Sequence, residues 1–167
     1  MKITPCTDIA GLYLIEDVYD TALLDQFLAE DHAYLGTVVT LAGQETWLRD
    51  CFRSFDSSSL WEQLLASMNT APLEQLNLIP TSTALWKDHP GFCCGRHTDN
   101  VLLEASMQVY LGDSSDSAMG TIFHPEYLVA YRKNTGYLMI NQGQLHGGNS
   151  PTQEMRYSTY TWLKLKS

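Results

Sequence analysis

From Ser82 to the C-terminus the chain is cut into short, alternating apolar runs, each closed by turn-forming residues, and this pattern leaves little room for anything but a β fold. His89-Pro90-Gly91, Gly112-Asp113-Ser114-Ser115, Lys133-Asn134-Thr135 and Ser150-Pro151-Thr152 supply the turns. Between them the alternation predicts eight strands, over 83–87, 92–99, 106–111, 121–124, 128–131, 136–141, 145–149 and 155–164. Strands of this number and spacing suit a jelly-roll sandwich, a double-stranded β-helix. Before about residue 80, helical signals dominate. Asp20 is placed to cap a helix carrying Leu23, Leu24, Phe27 and Leu28. Ser59-Leu60-Trp61-Glu62 reads as a capping box ahead of the stripe Leu60, Trp61, Leu64, Leu65 and Met68, and a further short helix is predicted over 47–52. The expected fold class is mainly β with flanking helices. It is expected as one domain over 1–167, with a helical support region over 1–80 and a jelly-roll core over 81–167.

Composition narrows the partners. A net charge of −9 and ten basic residues scattered along the chain argue against a nucleic-acid partner, because phosphate binding needs clustered Lys and Arg. No run approaches the ~18 apolar residues of a membrane span, and the N-terminus lacks the apolar stretch of a signal peptide, so a cytoplasmic location without membrane contact is expected. Cys6, Cys51, Cys93 and Cys94 form no paired CxxC motif and read as reduced thiols.

The residues that carry chemistry lie in the β half. In a strand, residues i and i+2 share a face, so His97 and Asp99 of His97-Thr98-Asp99 can reach one metal while Thr98 points away. His146 supplies a second histidine, and two histidines with one carboxylate are the set that binds Fe(II) on one face and leaves other positions open. Folding the chain back about Pro151 brings His146 opposite Arg156, with Ser158 on the same face. On the strand over 106–111, Met107, Val109 and Leu111 form one face; Ser106, Gln108 and Tyr110 form the other, which is expected to line a cavity. Trp86 is placed either to wall that cavity or to pack in the core.

In order and spacing these residues resemble the 2-oxoglutarate- and Fe(II)-dependent oxygenases, in the branch that includes prolyl 4-hydroxylases and their bacterial and phage relatives. The resemblance runs through Trp86-Lys87-Asp88-His89-Pro90-Gly91, Arg96-His97-Thr98-Asp99-Asn100, Gln108-Val109-Tyr110-Leu111 and Gly120-Thr121-Ile122-Phe123. It continues through Gly136-Tyr137-Leu138-Met139-Ile140, Leu145-His146-Gly147-Gly148-Asn149 and Arg156-Tyr157-Ser158. It implies iron held by His97, Asp99 and His146, and the distal carboxylate of 2-oxoglutarate held by Arg156 with help from Ser158 and Tyr110. It also implies O2 as oxidant, with release of succinate and CO2 as an aliphatic carbon of a small-molecule, peptide or protein substrate is hydroxylated. An amino acid or peptidyl residue is the implied substrate, proline first. Arg156 stands where prolyl hydroxylases often carry Lys, and its fork suits a carboxylate. The nucleic-acid-demethylating branch has a second arginine shortly after the first, where this chain has only Lys164 and Lys166. Related halogenases lack the carboxylate ligand, so Asp99 favours hydroxylation. Two other readings remain open: a non-catalytic β-sandwich binding or structural module, and a cupin-type metalloenzyme that does not use 2-oxoglutarate.

Overall fold

The computed structural model describes residues 1–30, 34–38, 49–55, 58–100, 102–114, 116, 119–149 and 154–166. Among them two sheets face each other. The larger is built from β1 (Lys2–Pro5), β2 (Leu12–Glu16), β3 (Tyr34–Val38), β4 (Arg49–Phe55), β5 (Leu78–Asp88), β7 (Ala105–Tyr110), β10 (Thr135–Ile140) and β12 (Arg156–Leu165), in the order β1-β2-β10-β7-β12-β5-β4-β3. The smaller contains β6 (Cys93–His97), β8 (Gly120–Phe123), β9 (Tyr127–Ala130) and β11 (His146–Asn149), in the order β6-β11-β8-β9. Every pairing is antiparallel. From β5 onward the chain passes repeatedly between the sheets, which makes the expected double-stranded β-helix.

Helices α1 (Thr21–Ala29), α2 (Ser58–Ala66) and α3 (Ala71–Gln75) join the larger sheet in one apolar layer. Asp20 caps α1 as expected, its carboxylate accepting from the Leu23 N–H at 3.0 Å. Leu24 and Phe27 of α1 meet Leu60, Trp61 and Leu64 of α2 and Met107 and Val109 of β7 in a single cluster. Leu28, expected in that stripe, is exposed. α2 starts at Ser58, so Ser59 lies inside the helix and not at its cap. On its other face, β7 turns Ser106, Gln108 and Tyr110 inward, and a second apolar cluster of Tyr110, Phe123, Tyr137 and Met139 fills the space between the sheets.

Two expectations fail, for separate reasons. The segment over 47–52 was expected as a helix; its described part, from Arg49, belongs to strand β4, paired with β3 and β5. More generally, the described residues of 1–80 supply four whole strands and the start of β5 to the larger sheet, besides the helices. The second failure concerns the hairpin about Pro151, a residue outside those described. β11 pairs with β6 and β8, whereas β12 pairs with β5 and β7, so the two strands lie in opposite sheets. His146 stands opposite His97 and Phe123, and Arg156 stands opposite Asp88. Alternation between sheets, the defining habit of this fold, overrides the local hairpin.

Candidate metal and carboxylate site

Three side chains converge at one end of the sandwich. His97 ends β6, His146 begins β11 directly across from it, and Asp99 lies just past β6. One ligand atom from each lies within 4.8 Å of the others. The Asp99 Oδ1 is 3.8 Å from the His97 Nε2 and 3.6 Å from the His146 Nε2. Both imidazoles have Nδ1 beside a backbone carbonyl, His97 at 2.9 Å from Gly95 and His146 at 3.0 Å from Gln144. An Nδ1–H donated there leaves the Nε2 lone pair directed at the shared space, the orientation a metal ligand needs. The other carboxylate oxygen, Oδ2, accepts from the Tyr160 hydroxyl at 3.3 Å and from Ser106 at 3.5 Å. The two histidines differ in exposure: the His97 side chain is 41 % exposed and that of His146 6 %, so the site opens on the His97 side. The Cys94 thiol, 3.5 Å from the His97 Nδ1, together with the Gly95 carbonyl and Asp99, overcomes partial burial and raises His97 to about 9. Burial lowers His146.

Small residues on β11 allow close approach behind His146, Gly147 to the neighbouring strand β6 and Gly148 to the opposite sheet. A Cβ on Gly147 would lie 2.7 Å from the Cys94 carbonyl, and one on Gly148 would lie 3.3 Å from a terminal nitrogen of Arg156. The Arg156 guanidinium therefore lies against the backbone of the strand that carries His146, although the two residues belong to different sheets.

The metal-site residues and Arg156 open onto one cavity of about 250 Å³, with Gln108, Thr121 and Tyr137 on its wall. Ser158 and Tyr110 sit behind that wall. Ser158 accepts from the Gln108 amide at 2.9 Å, and the Tyr110 hydroxyl donates to Thr121 at 2.8 Å. Tyr137 in turn donates to the Gln108 Oε1 at 2.8 Å, so a connected polar network backs the cavity. Trp86 lines the cavity, stacked on Tyr160 with ring centroids 4.2 Å apart, and its buried Nε1–H has no hydrogen-bond partner among the described residues.

Two further residues escaped the sequence reading. Asp88, fully buried, binds Arg156 through its Oδ2, at 2.8 Å from Nε and 2.6 Å from Nη2. Arg49 binds the same carboxylate, Nε to Oδ1 at 2.5 Å and Nη2 to Oδ2 at 3.0 Å. Burial alone would raise the Asp88 carboxyl, but the two guanidiniums hold it below the usual carboxylate range. No sequence pattern announces Arg49, which follows a stretch without strand alternation.

The fold that carries this site has counterparts among solved structures. HygX from Streptomyces hygroscopicus, with nickel, 2-oxoglutarate and hygromycin B bound, aligns over 95 % of this chain and 84 % of its own, at 12 % identity and a TM-score of 0.66. A prolyl hydroxylase from Trichoplax adhaerens, in complex with a peptide of the hypoxia inducible factor oxygen degradation domain, aligns over 93 % and 84 %, at 13 % identity and 0.66. A Pseudomonas putida prolyl-4-hydroxylase aligns over 94 % of both chains, at 16 % identity and 0.62. The fold is that of the 2-oxoglutarate-dependent oxygenases. No family model and no curated protein matches the sequence. Among the described residues no helix is long and apolar enough to cross a membrane.

Proposed function

We propose that the chain is an Fe(II)- and 2-oxoglutarate-dependent dioxygenase that hydroxylates an aliphatic carbon of an amino acid or peptidyl residue, proline first. The observation that carries this reading is the His97–Asp99–His146 donor set opening into the same cavity as a fixed, buried Arg156. Two imidazole nitrogens and one carboxylate oxygen on one side of a space suit Fe(II) with positions left open, and an arginine fork suits a carboxylate. Bound there, iron would supply activation of O2 coupled to oxidative decarboxylation of 2-oxoglutarate.

The protein's own groups have separable tasks. The Gly95 and Gln144 carbonyls hold the ring tautomers, and Tyr160 with Ser106 holds the Asp99 oxygen that faces away from the histidines. Arg156 would take the distal carboxylate of 2-oxoglutarate. Ser158, through Gln108, and Tyr110, through Thr121, would fix the wall against which that co-substrate lies. The substrate would enter on the more exposed His97 side. Solved neighbours of this fold hold hygromycin B in one case and a peptide in another, so both small-molecule and peptidyl substrates fit the reading. The test is succinate release in the presence of Fe(II), 2-oxoglutarate and O2 against a panel of free amino acids and proline-containing peptides. The proposal expects at least one member to stimulate succinate and to gain one oxygen atom by mass spectrometry. Stimulated succinate release with Arg156→Ala at the wild-type rate would sink the co-substrate assignment.

A further inference from the structure

Asp88 is the cross-strand partner of two arginines at once: Arg49 on β4 faces it from one side and Arg156 on β12 from the other. The row is almost sealed from water, with side-chain exposures of 5 % for Arg49, 0 % for Asp88 and 1 % for Arg156. Two guanidiniums share one carboxylate beside the cavity. Buried charge is costly unless it is matched, so such a row suits an anion arriving from the cavity side. Arg49 is also held in place for that task. Its guanidinium carbon lies 4.1 Å from the centroid of Trp86 and 4.1 Å from that of Phe92, and the guanidinium carbon of Arg156 lies 5.9 Å from Phe92. Arg49 uses Nε and Nη2 on Asp88, while its Nη1 has no hydrogen-bond partner among the described residues. Arg49 itself lines the cavity.

We infer that Arg49 is a second binding residue for the distal carboxylate of 2-oxoglutarate, acting beside Arg156 with Asp88 as their shared counter-ion. The inference rests on the co-substrate reading above and deepens it. With the carboxylate in place, two guanidiniums face two carboxylates. The aromatic sandwich orients the Arg49 fork before the ligand arrives, so little ordering accompanies binding. The monoanion 2-oxopentanoate, which has a methyl group in place of the distal carboxylate, gains nothing from either arginine.

Calorimetric titration of the Ni(II)-loaded protein with 2-oxoglutarate and with 2-oxopentanoate tests this without turnover. Arg49→Gln is expected to weaken 2-oxoglutarate binding by about 10- to 100-fold, the range for hydrogen bonds to a charged group, and to leave Ni(II) and 2-oxopentanoate affinity unchanged. Arg49→Lys, which keeps the charge and loses the fork, should fall between wild type and Arg49→Gln. It serves alone if the Gln variant fails to fold by circular dichroism. Wild-type 2-oxoglutarate affinity in both folded variants overturns the inference, as does an equal loss for 2-oxopentanoate. Absence of 2-oxoglutarate binding by the wild-type protein instead overturns the co-substrate reading itself.

Discussion

At the scale of single residues, the site depends on groups that fix other groups. Asp88 is the plainest case, because it holds both guanidiniums through one carboxylate and is itself fully buried. Asp88→Asn would remove the carboxylate charge that both buried guanidiniums share, and a loss of about 3–5 kcal/mol is expected from the known effect of breaking buried pairs. Urea denaturation measures it, and wild-type stability in that variant would show the row to be electrostatically idle. The pH dependence has a definite sign. Asp88 is held below the unfolded carboxylate value, so its contribution is present above about pH 3.9 and is lost as pH falls through its folded value. The Asn variant should lack that acid-limb loss. Much of this residue layer was open to inspection in the sequence: His97, Asp99, His146 and Arg156 all reach one cavity. Arg49 was not, because an inward-facing arginine satisfied by a distant aspartate breaks the apolar alternation that marks a strand.

At the scale of elements, the same physics decides which strands were legible. All eight strands expected after Ser82 form, within a residue or two except that β5 begins earlier, since their alternation and their turn residues point to one answer. β4 carries Arg49 and Cys51 into the cavity and read as a helix instead. The partner of β12 was also misread, because a short turn-like sequence at Pro151 suggests a hairpin while the sandwich requires a crossing between sheets. The glycines of β11 permit close contacts that side chains would block. Gly147→Ala places a Cβ 2.7 Å from the Cys94 carbonyl on β6, the strand that presents His97. Relief requires β6 and β11 to separate. We expect a loss of about 1–3 kcal/mol, in the range of overpacked interiors, together with weaker metal binding because both histidine-bearing strands shift. A urea midpoint and a Ni(II) titration check the two parts; a variant unchanged in both would show that the strands tolerate the added methyl group.

At the scale of the whole molecule, an apolar helical layer supports one face of the larger sheet, and the inner faces of both sheets carry the polar site. That division explains why the fold can hold buried charge: helices on the outside supply much of the apolar packing, and the space between the sheets holds a connected polar network beside the cluster of Tyr110, Phe123, Tyr137 and Met139. It also explains why the two halves of the chain were unequally readable. The second half contains most of the cavity wall in regular strands, whereas the first half contributes to it Arg49 and Cys51 of β4. The central claim is that His97, Asp99 and His146 hold a metal to which 2-oxoglutarate then binds directly. Anaerobic addition of one equivalent of Fe(II), followed by 2-oxoglutarate, with the visible spectrum recorded at each step, tests it most directly. A broad charge-transfer band is expected only after the second addition, saturating at one 2-oxoglutarate per chain and absent in Asp99→Ala. Failure of the wild-type protein to retain Fe(II), or a spectrum indifferent to 2-oxoglutarate, would contradict it.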